Sequence, residues 1–325
     1  MLAGSLLLFA AGNAVCGLGL SYGMTLAGRI IAAAAAGLFA PAASSAAAAL
    51  AAPGRRGRAL STVIGGQTVS LILGVPAGTY LAHVSHWTMP FWAAAAGSLL
   101  AAALIRGLFP AMPSHGAAPL KERLSFPGRP AILSALITTL LWGIAIFSVY
   151  TYIADLYGGL GAEEKAVSLV LLVGGIASFA GVALGGYATD RIGPNGTIVL
   201  ALAVLAVSLS SMSALYAAPG FAGVRLAALA AVALYGIGSY AFNPAQQHRL
   251  IGLSGPSAGI VLSLNASAIY LGSAGGAFLG GLVLQYGTVS MLGCFGGAWA
   301  LAALALFGLS RLSGSAARRG QSSNG

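Results

Sequence analysis

Asp190 and Arg191 form an acid–base pair in a chain of 325 residues of which only 6% are charged. Gly186 and Gly193 flank the pair, and glycine permits a tight turn and the close approach of helices. An acid at a helix end can pair with an arginine or cap the N-terminus of a neighbouring helix. We interpret the pair as a gate latch that holds one face of the protein closed. The alternative is a solvated turn, in which an exposed pair contributes little energy.

Two more arginines, Arg29 and Arg225, lie near one end of apolar runs. A charge within a membrane costs about 2.5–3.5 kcal/mol on insertion scales, so each arginine is a functional candidate. The alternative is snorkelling, in which the guanidinium reaches water at the interface at little cost. For Arg225 this alternative is at least as good as the functional interpretation.

Neutral polar and aromatic side chains inside the apolar runs are candidates for a solute cavity, because membrane solute sites place a few such groups in apolar walls. The amides are the stronger candidates, since an amide that faces lipid would be left unpaired. For the tyrosines, the alternative is a place in the interfacial belt. The candidates are Gln67, Trp142, Tyr235, Tyr240, Asn243, Asn265 and Tyr270.

The acids and histidines argue against an enzyme. No carboxylate and no histidine lies deep in an apolar run, so a base for Ser254 in Gly252-Leu253-Ser254-Gly255 is missing. No cluster has the composition of a metal site. We therefore expect no catalytic residue, no metal and no cofactor. The acids, all in or beside predicted loops, are Glu122, Asp155, Glu163, Glu164 and Asp190.

The elements that position these residues are membrane-spanning helices. The chain is 58% hydrophobic, with a mean hydropathy of +0.91, which is too apolar for a soluble protein of this length. Segments of about 20 apolar residues predict about ten spans, and only helices of that length satisfy their own backbone in lipid. The spans are expected at 2–20, 24–50, 60–82, 89–109, 131–153, 165–188, 196–217, 222–244, 257–284 and 289–310.

The distribution of the net charge of +10 along the chain indicates the membrane topology. Lys and Arg are concentrated in alternate gaps between the spans and in the C-terminal tail; only Arg29, Lys165 and Arg225 lie in the other gaps. This alternation places both termini in the cytoplasm of a multi-pass protein of the inner membrane. It also places the Asp190–Arg191 pair on the cytoplasmic side. A nucleic-acid partner is therefore not expected.

An internal repeat divides the chain. Arg29 and the stretch from Gly74 to Gly78 recur, after about 197 residues, as Arg225 and the stretch from Gly272 to Gly276. Small residues at Gly272, Gly276 and Gly280 favour tight helix packing, and Pro76, between Gly74 and Gly78, permits a bend. We predict an incomplete first bundle at 1–109, a cytoplasmic linker at 110–130, a second bundle at 131–310 and a disordered tail at 311–325. The same offset predicts that the first two helices of the first bundle are missing before Met1.

Five stretches carry a resemblance to the major facilitator superfamily. Residues 186–193, GYATDRIG, resemble its G-x-x-x-D-R-x-G loop signature, here between the eighth and ninth helices. The other stretches are similar to the fourth, fifth, tenth and eleventh helices of its twelve-helix drug/proton antiporter branch. Pro194 and Asn195 replace two usual arginines, and Ala32-Ala33 replaces a usual Gln-Gly. The similar stretches are Arg29 with 37–41, 66–79 with His86, Trp87 and Phe91, 243–247, and 264–267 with 272–281.

The resemblance implies an all-α fold of two pseudo-symmetric bundles around a central cavity. It implies secondary active transport by alternating access, namely the efflux of a drug, sugar or metabolite driven by the proton gradient. It also favours a role for Arg29 in proton coupling or helix packing. The expected partners are a small-molecule substrate, the proton and the lipid bilayer, with no obligate protein partner. The alternative function is that of a truncated, non-transporting remnant with a sensing or assembly role.

Overall fold

The computed structural model describes residues 2–50, 62–63, 66, 69–108, 130–159, 164–217, 223–254 and 258–322. Within these ranges the chain is helical and contains no strand, as predicted. A π-helical turn, Ser70–Gly74, leads into α3, and a 3-10 turn, Leu215–Ala217, follows α7. The helices are α1 Leu2–Leu18, α2 Tyr22–Leu50, α3 Val75–Val84, α4 Met89–Leu108, α5 Pro130–Tyr150, α6 Ile153–Gly158, α7 Glu164–Ala214, α8 Val224–Ser254, α9 Ala258–Tyr286 and α10 Met291–Ser322.

Seven of the described helices are long and apolar enough to cross a membrane. Three of the ten predicted spans are not counted separately among these seven. Helix α7 counts once although it contains two predicted spans, and α1 has only 17 residues. The predicted span at 60–82 lies partly outside the described residues. The helices still satisfy the requirement that a lipid-embedded backbone bond to itself.

The chain divides into two compact units, Met1–Gly116 and Ala117–Gly325. In the first unit, α1 and α2 approach closely through glycines. A Cβ built on Gly12 would lie 2.7 Å from the Ala32 nitrogen, and one built on Gly28 would lie 2.7 Å from the Gly12 oxygen. Helix α4 joins α1 through the Trp92 indole, which donates to the Gly17 carbonyl at 3.0 Å.

The second unit is built around α5. Of the most apolar stretch of α5, 67% of the residues are buried, against 22% in α9, so α5 is the more central helix. Its antiparallel contact with α8 is fixed at successive levels by hydrogen bonds. Trp142 donates its indole hydrogen to the Ser239 carbonyl at 3.1 Å and stacks on Phe242, and Tyr235 donates to the Ile146 carbonyl at 3.2 Å.

Helix α9 packs on the other side of α5 through its glycines. A Cβ built on Gly272 would lie 2.6 Å from the Leu140 oxygen, and one built on Gly280 would lie 2.5 Å from the Ser148 oxygen. Backbone atoms cannot move aside as flexible side chains can. The two helices run parallel at a separation that a larger residue at these positions would not allow.

Neighbouring glycines of α9 give a matched test of this packing. A Cβ on Gly276 would lie 2.7 Å from the Ile144 oxygen, whereas one on Gly275 would meet only the Ile144 side chain, at 3.6 Å. We expect Gly276→Ala to lower the free energy of unfolding by about 1–3 kcal/mol, as overpacking does. Gly275→Ala should be neutral or stabilising, since alanine favours helix.

The measurement is the unfolding midpoint of the purified chain in detergent, followed by tryptophan fluorescence. Equal midpoints for the two variants would contradict the close approach of α9 and α5.

Candidate functional site

The predicted gate stretch lies inside α7, which is broken at a single residue. Gly193 has φ 76° and ψ 163°, a backbone conformation that residues with a Cβ essentially avoid. The break divides α7 into two arms, and Pro194 is the first residue of the second arm, where a missing N–H is tolerated. The Thr197 hydroxyl donates to the Gly193 carbonyl at 3.0 Å. The two predicted spans therefore join through one glycine rather than through a longer loop.

Asp190 and Arg191 lie on the exposed surface of the turn that precedes this break. The guanidinium carbon of Arg191 is 5.2 Å from the centroid of the Tyr187 ring, which is a cation–π distance. Asp190 forms no hydrogen bond or ion pair with any side chain that the structure describes. Gly186 faces open space, because a Cβ built on it would meet no atom within 4 Å. The carboxylate is thus available to pair or to cap a helix in another conformation.

A buried polar node, formed by Thr139, Gln246 and Asn265, joins helices α5, α8 and α9. The three side chains are 0%, 1% and 3% exposed. The Thr139 hydroxyl donates to the Asn265 side-chain oxygen at 2.7 Å. The Gln246 amide nitrogen donates to Thr139 Oγ1 at 2.9 Å and to the Ala135 carbonyl at 2.7 Å. These bonds tie three helices together through side chains that are buried from solvent.

One acceptor of the polar node has no partner among the described residues. The Gln246 amide uses both of its hydrogens, but its oxygen Oε1 is buried and forms no hydrogen bond. Seven positions earlier on the same helix, the Ser239 hydroxyl is also buried, beside Tyr235. A neutral hydrogen-bonding surface of this kind can hold a polar solute or a water molecule, but it cannot hold a charge.

Asn265, predicted from the sequence as a cavity residue, belongs to this node, whereas Thr139 and Gln246 were not among the candidates. A signal for Gln246 was present, because it lies eleven positions after Tyr235 and therefore on nearly the same face of the helix. The other predicted cavity residues that the structure describes lie at different places in the second unit. Tyr240 and Asn243 are half-buried on an adjoining face of α8, and Tyr270 is 61% exposed.

The family of the chain follows from a comparison with known proteins. A family model described as "Major Facilitator Superfamily" matches residues 1–277. The chain belongs to the major facilitator superfamily. It is therefore a multi-pass membrane transporter and not an enzyme. Among the residues that the structure describes, no group of three or more His, Cys, Asp or Glu could hold a metal ion.

Curated relatives agree with this family. The MFS-type transporter YbcL of Bacillus subtilis (strain 168) is 32% identical over 279 residues, which are 86% of this chain and 70% of the relative. The inner membrane transport protein YdhP of Escherichia coli O157:H7 is 31% identical over 284 residues, and the alignment covers 86% of this chain and 70% of YdhP.

Solved structures give the same fold. A bacterial homologue of the iron transporter ferroportin, in an outward-facing state, aligns with a TM-score of 0.67 and 16% identity over 95% of this chain and 82% of its own. A bacterial homologue of the human lysosomal transporter Spinster, in an inward-facing and occupied conformation, aligns with a TM-score of 0.65 and 14% identity. The alignment covers 95% of this chain and 81% of the homologue. Together with the helices, these matches confirm the predicted major facilitator fold.

The remaining predicted residues of this major facilitator protein make few specific contacts or lie outside the described residues. Arg29 is exposed, and its guanidinium carbon lies 5.8 Å from the centroid of the Phe91 ring. Gly74 ends the π-helical turn and Pro76 lies in the first turn of α3, where proline is tolerated. A Cβ on Gly78 would come no closer than 3.9 Å to another residue. Gln67 and the side chain of Arg225 lie outside the described residues.

The break at Gly193 can be tested with Gly186 as its control. We expect Gly193→Ala to lower the free energy of unfolding by about 1–3 kcal/mol, because alanine is strained at this positive φ. Gly186→Ala places a methyl group in open space on a regular helix and should be neutral or stabilising. Denaturant-induced unfolding of the two purified variants, followed by circular dichroism, compares them directly. A Gly193→Ala protein as stable as Gly186→Ala would show that the break is not strained.

Adjacent threonines test the polar node. Thr139→Val removes a hydroxyl that both Gln246 and Asn265 use, and we expect a loss of about 1 kcal/mol, the scale of interhelical hydrogen bonds in membranes. Thr138→Val is the matched control, since the Thr138 hydroxyl bonds only locally, to the Ser134 carbonyl at 2.8 Å. The measurement is the thermal unfolding midpoint in detergent. Equal effects of the two substitutions would contradict a specific role for the node.

Proposed function

We propose that this transporter exports a small organic solute by alternating access, driven by the proton gradient, with both termini in the cytoplasm. The observation that carries the proposal is the coincidence of sequence and structure at Gly193. The stretch that resembles the loop signature of the major facilitator superfamily, residues 186–193, ends at the residue where α7 breaks. A short break between two long arms is a suitable place for a gate, because few dihedral angles must change there.

The charge distribution supports a neutral or amphipathic solute. The acids with described side chains, Asp155 and Asp190, are both exposed. The polar groups buried in the second unit are neutral hydroxyls and amides, including Thr139, Gln246 and Asn265. A site built from such groups selects by shape and hydrogen bonding, since an ionic ligand would lack a countercharge.

The packing of the second unit supports rocking as the transport movement. Helix α5 is hydrogen-bonded to α8 and lies within backbone contact distance of α9, so these helices cannot slide past one another without loss of specific contacts. Alternating access in transporters built from repeats is largely a rigid-body movement of one bundle against the other. A tightly packed bundle meets the mechanical requirement of that mechanism.

The test is the energised efflux of a panel of fluorescent amphipathic dyes and labelled sugar analogues from cells that lack their own pumps. We expect efflux of at least one compound, and we expect an uncoupler to abolish it because the proton gradient is the proposed driving force. Efflux that persists after the gradient has collapsed would contradict proton coupling. Absence of efflux for every compound, with the protein stably inserted, would contradict the proposed solute classes.

The same assay tests the latch with a pair of acid substitutions. Asp190→Asn should slow efflux about fivefold, the effect of losing a charge interaction of about 1 kcal/mol at a helix end. Asp155→Asn removes another exposed acid, in the short helix α6, and serves as the control. Equal efflux by all three proteins, at equal amounts in the membrane, would contradict a gating role for Asp190.

A further inference from the structure

Arg249 is the most confined of the arginines whose side chains the structure describes. It lies in α8, five positions before the helix ends at Ser254, and contacts α10. Its guanidinium carbon is 4.6 Å from the centroid of the Phe307 ring, and its Nη2 donates to the Ser310 hydroxyl at 3.2 Å. The other terminal nitrogen, Nη1, is buried and has no hydrogen-bond partner among the described residues.

The surroundings of Arg249 supply no negative charge. No carboxylate forms an ion pair with it among the side chains that the structure describes. The residue after its partner Ser310 is another arginine, Arg311, which is exposed. A guanidinium has five N–H groups and no acceptor, so Phe307 and Ser310 leave part of its hydrogen-bonding capacity unused. Two neighbouring positive charges without a carboxylate favour the binding of an anion, because charge-assisted hydrogen bonds are stronger than neutral ones.

The position of this group indicates the source of the anion. The apolar stretch of α10 ends at Arg311, and that of α8 ends at Ser254. Because the ends of apolar stretches are expected at the membrane–water interface, we expect Arg249 and Arg311 to lie close to the depth of the lipid head groups. Basic pockets between transmembrane helices at this depth bind the phosphate groups of anionic lipids. A free phosphate offers the same chemistry but arrives from the aqueous phase.

We propose that Arg249, Ser310 and Arg311 form a binding site for the phosphate group of an anionic phospholipid, between α8 and α10 near the ends of their apolar stretches. The partly exposed guanidinium of Arg249 donates to a phosphate oxygen while Phe307 holds its plane. Arg311 contributes a second positive charge from the exposed side. The site is separate from the polar node and does not depend on the direction of transport or on the solute.

The experiment uses the full chain, purified in a neutral detergent and titrated with phosphatidylglycerol while its thermal unfolding midpoint is followed. We expect a saturable rise of the midpoint with phosphatidylglycerol, and no such rise with phosphatidylcholine or with inorganic phosphate. Arg249→Gln should raise the lipid concentration needed for half of the effect about fivefold or more, since an interfacial arginine contributes about a factor of five. Arg311→Gln, at an exposed position, should give a smaller increase in the same direction.

Two further variants separate the effect of charge from that of hydrogen-bonding geometry, and the effect of this site from that of other arginines. Arg249→Lys keeps the charge but loses the planar fork, so its half-effect concentration should lie between those of the unchanged protein and Arg249→Gln. Arg106→Gln removes an exposed arginine at the end of α4, in the other unit, and should leave the titration unchanged. If Arg249→Gln destabilises the protein too far to be titrated, Arg311→Gln and Arg249→Lys carry the test.

Several outcomes would overturn the proposal. An unchanged titration in both Arg249→Gln and Arg311→Gln would show that the lipid binds elsewhere. An equal response to phosphatidylcholine would show that the negative charge is not recognised, and an equal response to inorganic phosphate would assign the site to a soluble anion.

Discussion

The second unit depends on one constraint, which is that a polar group inside an apolar bundle must find its partner within the protein. Helices α5 and α8 meet this constraint with side chains that donate to the backbone of the facing helix. Gln246, Trp142 and Tyr235 do so at successive levels along the interface. Each acceptor is a main-chain carbonyl that can accept a second hydrogen. The bonds therefore fix the register of the two helices without breaking either of them.

Glycine packing on the opposite side of α5 follows from the same arrangement. Once α8 fixes the position of α5, α9 completes the polar node only if its backbone approaches closely, and Gly272, Gly276 and Gly280 permit that approach. A bundle held on both sides in this way is stiff, because close-packed interfaces have discrete arrangements rather than continuous ones. We therefore expect movement to be concentrated at junctions such as Gly193, where α7 is broken.

The sequence predicted which segments are helices more successfully than which way each helix faces. Long apolar segments in lipid have little choice but to form helices, and Gly193 followed by Pro194 indicates a break from local chemistry alone. The side of each helix that faces the core is harder to predict, because segments that are apolar on every side carry little periodic signal. Tyr270 was therefore a candidate for the cavity although it is 61% exposed. Gln246 and Thr139 could not be paired from sequence, since their contact depends on the register between α5 and α8.

The excess of arginine and lysine over acids has a structural consequence. With 15 basic residues and 5 acids, most arginines cannot have a carboxylate partner, and Arg29, Arg191 and Arg249 lie against aromatic rings instead. An aromatic face stabilises the cation but accepts little from its N–H groups, so these groups stay free for water or for anions. Arg29 and Arg191 are exposed, so water can satisfy their N–H groups. Nη1 of Arg249 is buried and has no hydrogen-bond partner among the described residues. Burial, rather than charge alone, therefore decides which arginine requires a ligand.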